Sequence, residues 1–169
     1  MILTERELRA TYDAIVKPFG HPDPIGYMTR ALLMSGGDTE YYDVDGKIGF
    51  MPIDPAIALE TLGVQDVSTL EGNLGATLTL DQMYFAEYGS VSDMVVAFHF
   101  GRDAVDVELD DDAMDLLNAI EEARSDVREI ISPPRAKVQD VIRIIYNQLS
   151  REPAPKKSVL NLVTKILEK

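Results

Sequence analysis

The sequence has no cysteine, few basic residues and no long apolar run, and each absence excludes a class of protein. Without cysteine the chain has no disulfide and no thiolate zinc site, and cysteine usage does not indicate whether the protein works in an oxidising or a reducing compartment. No apolar run approaches the ~20 residues that a membrane span needs. The first ten residues, MILTERELRA, lack the basic and then apolar order of a secretion signal. We therefore expect no signal peptide, and a protein that is cytoplasmic when synthesised.

Basic residues are scarce and unevenly distributed. The chain has 16 Lys and Arg against 29 Asp and Glu, a net charge of −13, which argues against binding to nucleic-acid phosphates. Residues 1–134 carry a net charge of −18, whereas residues 135–169 carry +5. This asymmetry predicts that the basic end contacts an acidic partner or a second copy of the chain.

Local start and stop signals divide the chain into helices. Thr4 followed by Glu7 is a capping box for a first helix that runs to Val16. The same kind of reasoning predicts further helix starts at Asp23, Asp54, Asn73, Ser90 and Asp110. The hydrophobic share of 46% is enough for a core in a chain of 169 residues. The pattern predicts an all-α protein.

Three short motifs follow one another along the first two thirds of the chain. The first is ALLMSGGDTEYYDVDGKIGFMPI, from Ala31 to Ile53. The second is PAIAL, from Pro55 to Leu59, and the third is AFHFG, from Ala97 to Gly101. In order and spacing they resemble the soluble lytic transglycosylases of phage type, lysozyme-like enzymes that cleave the glycan strand of peptidoglycan. The resemblance covers about residues 10–105 and implies a lysozyme-like fold.

The resemblance also indicates which functional groups are missing. Aligning Gly49-Phe50-Met51 with the family's G-l-M places Ser35 on the serine that follows the catalytic glutamate, and Met34 on the glutamate itself. Phe98 and His99 replace the tyrosine and asparagine of the family's third motif. The family's glutamate acts first as an acid and then as a base, which a thioether cannot do. The resemblance therefore predicts a degenerate groove lined by Met34, Ser35, Met51, Phe98 and His99.

An alternative is that the acid has moved. Glu40 is the only glutamate of the first motif, and Tyr41 and Tyr42 beside it would raise its pKa if they shielded it from water. Asp38 and His99 are further candidates for proton transfer. The string Asp43 to Gly46 is not an EF-hand, because the twelfth position is Asp54 rather than glutamate. We expect no metal and no cofactor.

Together these observations predict a lysozyme-like transglycosylase fold with extra C-terminal helices. The expected divisions are a transglycosylase-related domain at 1–109, a helical extension at 110–151, a linker at 152–157 and an amphipathic helix at 158–169. The expected function is that of a degenerate transglycosylase-like protein with a structural or assembly role in a phage virion. Alternatives are an active transglycosylase that uses Glu40, and an acidic helical adaptor. Expected partners are other virion proteins, a second copy bound through the basic C-terminal helices, or the peptidoglycan strand.

Overall fold

The structure is a computed structural model that describes residues 1–107 and 109–132. These residues form helices joined by loops, with isolated β-bridges between Ile2 and Asp38, Tyr42 and Ile48, and Ile48 and Ile53. The α-helices are α1 (Glu5–Thr11), α2 (Lys17–Phe19), α3 (Pro24–Ser35), α4 (Pro55–Leu62), α5 (Leu70–Tyr88), α6 (Val91–Phe100) and α7 (Asp111–Ile131). A π-helical segment, Tyr12–Val16, joins α1 to α2, and a short 3₁₀ turn, Arg102–Ala104, follows α6. The all-α prediction is thereby confirmed.

Pro18 explains the π-helical segment. A proline has no N–H and its ring collides with the carbonyl four residues earlier in a regular α-helix. The widened turns before it avoid this conflict, and the Lys17 N–H donates to the Tyr12 carbonyl, five residues back. The helix therefore continues three residues past the predicted end at Val16. It ends at Gly20, whose φ of 76° allows the left-handed cap.

Helix α5 contributes apolar side chains to both hydrophobic clusters of the described residues. Leu74 and Leu78 belong to one cluster, together with Val16, Met28 and Phe50. The second cluster contains Ala76, Leu80 and Tyr84 of α5, and with them Ile53, Ala58, Met94 and Val95. The partly buried Phe98 packs against both clusters. A helix with apolar residues on several sides is expected to be surrounded by others.

Helix α7 packs against α3 and α1. It buries Val127 and Ile131 in the first cluster and Ile120 in the second. The Arg124 guanidinium also forms a two-pronged ion pair with Asp23 at the start of α3, at 2.7 and 2.8 Å. Residues Met1–Ile131 are one compact unit, so α7 is part of the same body as the helices before it.

The loop between α3 and α4 is held to α5 by Asn73. The buried side chain of Asn73 accepts from the Met51 N–H at 2.9 Å, and its amide donates to the carbonyls of Ile48 and Met51 at 3.1 and 3.0 Å. Gly49 lies against this amide with φ of 97°, and a Cβ there would collide with it. The glycine is required for both its backbone conformation and the close approach.

Most predicted helix starts agree with the structure. The side chains of Thr4, Asp23, Asp54, Ser90 and Asp110 each accept a backbone N–H of the first turn of a helix. The prediction for Asn73 was displaced, since α5 begins at Leu70 with Thr69 as its cap. None of the described helices is long and apolar enough to cross a membrane. The predicted extension beyond 132, the linker and the last helix lie outside the described residues.

Candidate functional site

A buried ion pair occupies the middle of the compact unit. Arg30 of α3 donates from Nη2 to Oδ2 of Asp81 on α5, and the same oxygen accepts from Nε2 of His21 at 2.9 Å. The side chains of Asp81 and His21 are 0% exposed and that of Arg30 is 1% exposed. Desolvating charges is costly, so such a group persists only when it is paired and hydrogen-bonded.

The hydrogen bonds of His21 define its tautomer. The backbone N–H of Asp23 donates to Nδ1 of His21 at 3.0 Å, so Nδ1 carries no proton. The proton therefore lies on Nε2 and is donated to Asp81. His21 in this state links the turn before α3 to the middle of α5.

Asp81 is the last of three buried polar residues on α5. Asn73, Thr77 and Asp81 recur every four residues, which places them on one face of the helix, and we call them the polar stripe of α5. Thr77 donates to the Asn73 carbonyl at 2.8 Å and accepts from the Tyr27 hydroxyl at 2.6 Å. Burial raises the pKa of Tyr27 far above its usual value, so the phenol keeps the proton it donates.

Two atoms of the ion pair have no hydrogen-bond partner within residues 1–107 and 109–132. They are Nε of Arg30 and Oδ1 of Asp81, both shielded from solvent. The Arg30 guanidinium lies over the rings of Tyr27 and Phe98, at 5.7 and 5.3 Å from their centroids. These aromatic faces stabilise the cation where hydrogen bonds are missing.

Arg30 also connects the ion pair to His99. Nη1 of Arg30 lies 3.4 Å from Nε2 of His99, close to the limit of a hydrogen bond. Burial, reinforced by the positive charges of Arg30 and Lys47, holds the pKa of His99 well below its usual value. His99 is therefore neutral near pH 7, accepts from Arg30 at Nε2 and carries its proton on Nδ1.

His99 lies on the wall of an open pocket of about 130 Å³. The loop between α3 and α4, the start of α4, the middle of α5 and the end of α6 form this pocket. Its residues with polar side chains are Lys47, Asp54, Tyr84 and His99. The remaining lining residues are Pro52, Ile53, Ile57, Leu80, Ala97, Phe98 and Gly101. We call it the His99 pocket.

The structure brings together only part of the predicted groove. Phe98 and His99 are adjacent on the wall of the His99 pocket. Met51 is fully buried in the first hydrophobic cluster. Ser35 is buried as well, where its hydroxyl donates to the Ala31 carbonyl at 2.8 Å and accepts from the Gly37 N–H at 3.2 Å. Met34 is partly buried near the end of α3.

Glu40 lies at a different place. With Tyr41 and Tyr42 it lines a second open pocket, of about 170 Å³. Its side chain is 80% exposed, and its carboxylate lies 3.2 Å from the amino group of Met1. Asp38 pairs with the same amino group at 2.7 Å. Among the lining residues of the His99 pocket the one carboxylate is Asp54, which caps α4.

Sequence reasoning missed Arg30, Asp81 and Lys47. A signal for Asp81 was present, because Asn73, Thr77 and Asp81 interrupt an apolar helix at a constant spacing of four. Polar residues at that spacing on a buried helix predict hydrogen bonds to neighbouring elements. Lys47 gave no such signal, since its position depends on the folding of the loop. Among the described residues no three His, Asp or Glu side chains converge as a metal site would require.

The fold and site define a class: an all-α domain with a closed ion pair at its centre and a small open pocket beside it. Comparisons with protein-family models, with curated proteins and with solved structures each found no match.

Proposed function

We propose that this chain is a catalytically degenerate protein of lysozyme-like transglycosylase fold, with a structural or assembly role in a phage particle. The basis for the fold and the setting is the order and spacing of the three motifs between Ala31 and Gly101. The basis for a non-catalytic role is the chemistry of the described residues. Met34 stands where the resemblance expects the acid, and a thioether transfers no proton.

One observation carries this proposal. The cluster of charged and titratable groups formed by Arg30, Asp81 and His21 is sealed from solvent. A general acid must come within hydrogen-bond distance of the bond that it protonates. Groups with 0–1% exposure cannot meet a polymeric substrate, so this cluster supports the fold rather than a reaction.

A second candidate, an active transglycosylase, is favoured by the pocket at Glu40. Glu40, Tyr41 and Tyr42 line one cavity, as a displaced acid beside aromatic residues would require. The high exposure of the Glu40 side chain weighs against it, because an acid in this reaction needs an apolar wall that raises its pKa.

Digestion of purified peptidoglycan distinguishes the two candidates. The full chain and Glu40→Gln are incubated with peptidoglycan, and released muropeptides are identified by mass spectrometry. We expect no 1,6-anhydro products from either protein while circular dichroism confirms that both are folded. Products from the wild type alone would establish the second candidate, with Glu40 as the acid. Products from both proteins would show that Glu40 is not the acid and would make Asp38 and His99 the next candidates.

Binding without cleavage is tested separately. Sedimentation with insoluble peptidoglycan measures whether the strand is a partner even when it is not cut. The third class, an acidic helical adaptor, predicts neither binding nor cleavage. Retention of the wild type, with a negatively charged protein of similar size as the control, would exclude that third class.

A further inference from the structure

The His99 pocket is lined by Lys47, which has no ion-pair partner among the described residues. Lys47 is partly buried, and it forms no ion pair with the described residues. This is unexpected in a chain with 29 acidic and 16 basic residues, where a lysine has many possible partners. A cation that is partly withdrawn from water and unpaired is stabilised by an anion that enters beside it.

His99 supplies a second feature that suits an anion. Because Nε2 faces Nη1 of Arg30, the imidazole proton lies on Nδ1, where it is a hydrogen-bond donor. The charges of Arg30 and Lys47 both act on this ring and oppose its protonation. The same positive potential that disfavours a second proton on His99 favours a negative group near it.

The other charged and titratable groups around the pocket have contacts of their own, and the Asp43 carboxylate accepts the backbone N–H of Lys47 at 2.8 Å. The Asp54 carboxylate accepts the Ala56 N–H at 2.7 Å and lies at the positive end of α4. The charge of Arg30 is balanced by Asp81. The ring of Tyr84 is covered by Arg102 at 5.5 Å, and that guanidinium pairs with Glu87 at 3.1 Å. Lys47 is thus the one pocket cation that is not already paired among the described residues.

The remaining lining is apolar and the space is small. Pro52, Ile57, Leu80 and Phe98 form walls around about 130 Å³. A ligand with one negative charge and a short hydrocarbon body matches such a lining, whereas a dianion without an apolar part would leave the walls unused. We infer that the His99 pocket binds a small organic carboxylate, with Lys47 holding the negative charge and His99 Nδ1 donating to it. This site requires no cleavage chemistry and is independent of the proposed function.

The test uses sodium butyrate as the probe and the full chain as the receptor. The chain has two histidines, His21 and His99, so their imidazole NMR signals are assigned with one His99→Asn variant. We expect butyrate to shift the His99 signal saturably and to raise its pKa, since an added anion favours the charged ring. His21, sealed in the ion pair, is the internal reference and should not move.

Two variants and two other compounds make the test specific. Lys47→Met keeps the apolar stem and should weaken butyrate binding about tenfold or more, as expected when a charge-assisted hydrogen bond is lost. Asp54→Asn keeps a capping acceptor and removes the opposing charge, so binding should become severalfold tighter. Butyramide, which is neutral, should not shift His99, and inorganic phosphate should bind more weakly than butyrate.

Each contrary result would overturn the inference. These results are the absence of a saturable His99 shift with butyrate, equal binding by wild type and Lys47→Met, equal effects of butyramide and butyrate, and phosphate that binds as tightly as butyrate. A shift of His21 equal to that of His99 would indicate a general perturbation and would count against the site as well. If Lys47→Met fails to fold, Lys47→Gln provides the same comparison.

Discussion

At the scale of single residues, the sealed ion pair is the feature whose loss should cost the most stability. Replacing Asp81 with asparagine removes the counter-charge of Arg30, whose Nε already lacks a hydrogen-bond partner in the part of the chain that the structure describes. Breaking a buried pair in this way typically costs about 3–5 kcal/mol. We expect Asp81→Asn to lower the free energy of unfolding in urea by about that amount.

A double variant measures the interaction energy between Arg30 and Asp81 apart from their contacts with other residues. Arg30→Met together with Asp81→Asn removes both charges of the pair, so the double variant should be less destabilised than the two single changes added together. A coupling energy near zero would contradict the view that these two charges stabilise each other. Met28→Leu, a buried apolar exchange of similar volume on α3, is the matched control and should cost less than about 1.5 kcal/mol.

The ion pair of Asp23 and Arg124 predicts a dependence of stability on pH. Burial alone would raise the pKa of Asp23, but hydrogen bonds from Arg124 and from the Gly26 N–H lower it below its usual value. A carboxyl group with a lowered pKa contributes stability above its unfolded pKa of about 3.9, and loses that contribution as pH falls through the folded pKa. Arg124→Met should therefore be less stable than wild type at pH 6, by about 1–3 kcal/mol.

The measurement is urea unfolding of both proteins between pH 6 and pH 3. We expect the difference between wild type and Arg124→Met to stay constant down to about pH 4 and to shrink below it. Arg6→Met, a change at an exposed arginine of α1, is the control and should give a small difference at every pH. A difference for Arg124→Met that grows as the pH falls would contradict this linkage.

At the scale of elements, the loop between α3 and α4 depends on Gly49. Gly49 and Gly20 both have positive φ, so alanine at either site costs about 1–2 kcal/mol of backbone strain. Only at Gly49 would the new Cβ collide with Asn73, whereas at Gly20 there is open space. We expect Gly49→Ala to be destabilised by about 2 kcal/mol more than Gly20→Ala, because the Asn73 hydrogen bonds to the loop are also lost. Equal losses in thermal unfolding would contradict this role of Asn73.

Helix starts, which depend on neighbouring residues, were predictable from the sequence. Contacts between residues far apart in the chain were not. A helix cap depends only on residues within four positions of it along the chain. The predicted caps mark helix starts correctly at Thr4, Asp23, Asp54, Ser90 and Asp110. The sequence predicts a helix start at Asn73, but the Asn73 side chain binds a loop more than twenty residues earlier in the chain. The π-helical segment before Pro18 was read only as the end of the first helix.

The candidate site was predicted less completely than the helices. Phe98 and His99 lie in one pocket, but Lys47 reaches it only through the folded loop, and Met51 and Ser35 are buried elsewhere. A sequence motif indicates which position of a family each residue corresponds to. It does not indicate which residues face the same cavity. The ion pair of Arg30 and Asp81 joins residues 51 positions apart, a pairing that local propensities do not encode.

At the scale of the whole molecule, charge asymmetry predicts how association responds to salt. Residues 1–134 carry −18 and residues 135–169 carry +5. If the basic segment binds a second copy, the association is electrostatic and should weaken as the Debye length falls from about 10 Å at 0.1 M salt to about 3 Å at 1 M. Sedimentation equilibrium of the full chain at both salt concentrations measures this.

The variants remove positive charge either from the basic segment or, as a control, from the acidic part of the chain. Changing Lys156, Lys157 and Lys165 to glutamine should reduce self-association at low salt, while Lys17→Gln in the acidic part should not. A chain that is monomeric at both salt concentrations would contradict self-association and leave other virion proteins as the proposed partners.

The polar stripe of α5 has a consequence for how the molecule opens. Asn73, Thr77 and Asp81 tie one helix to the 48–53 loop, to Tyr27 and to Arg30 with His21. A rotation or slide of α5 by one residue would release all three attachments at once, because they share a single face. The backbone amides of α3, α5 and that loop should therefore exchange with deuterium through one common opening event. Local unfolding of Met1–Ile131 would then begin with the displacement of α5, and the helices and the loop attached to it would unfold together.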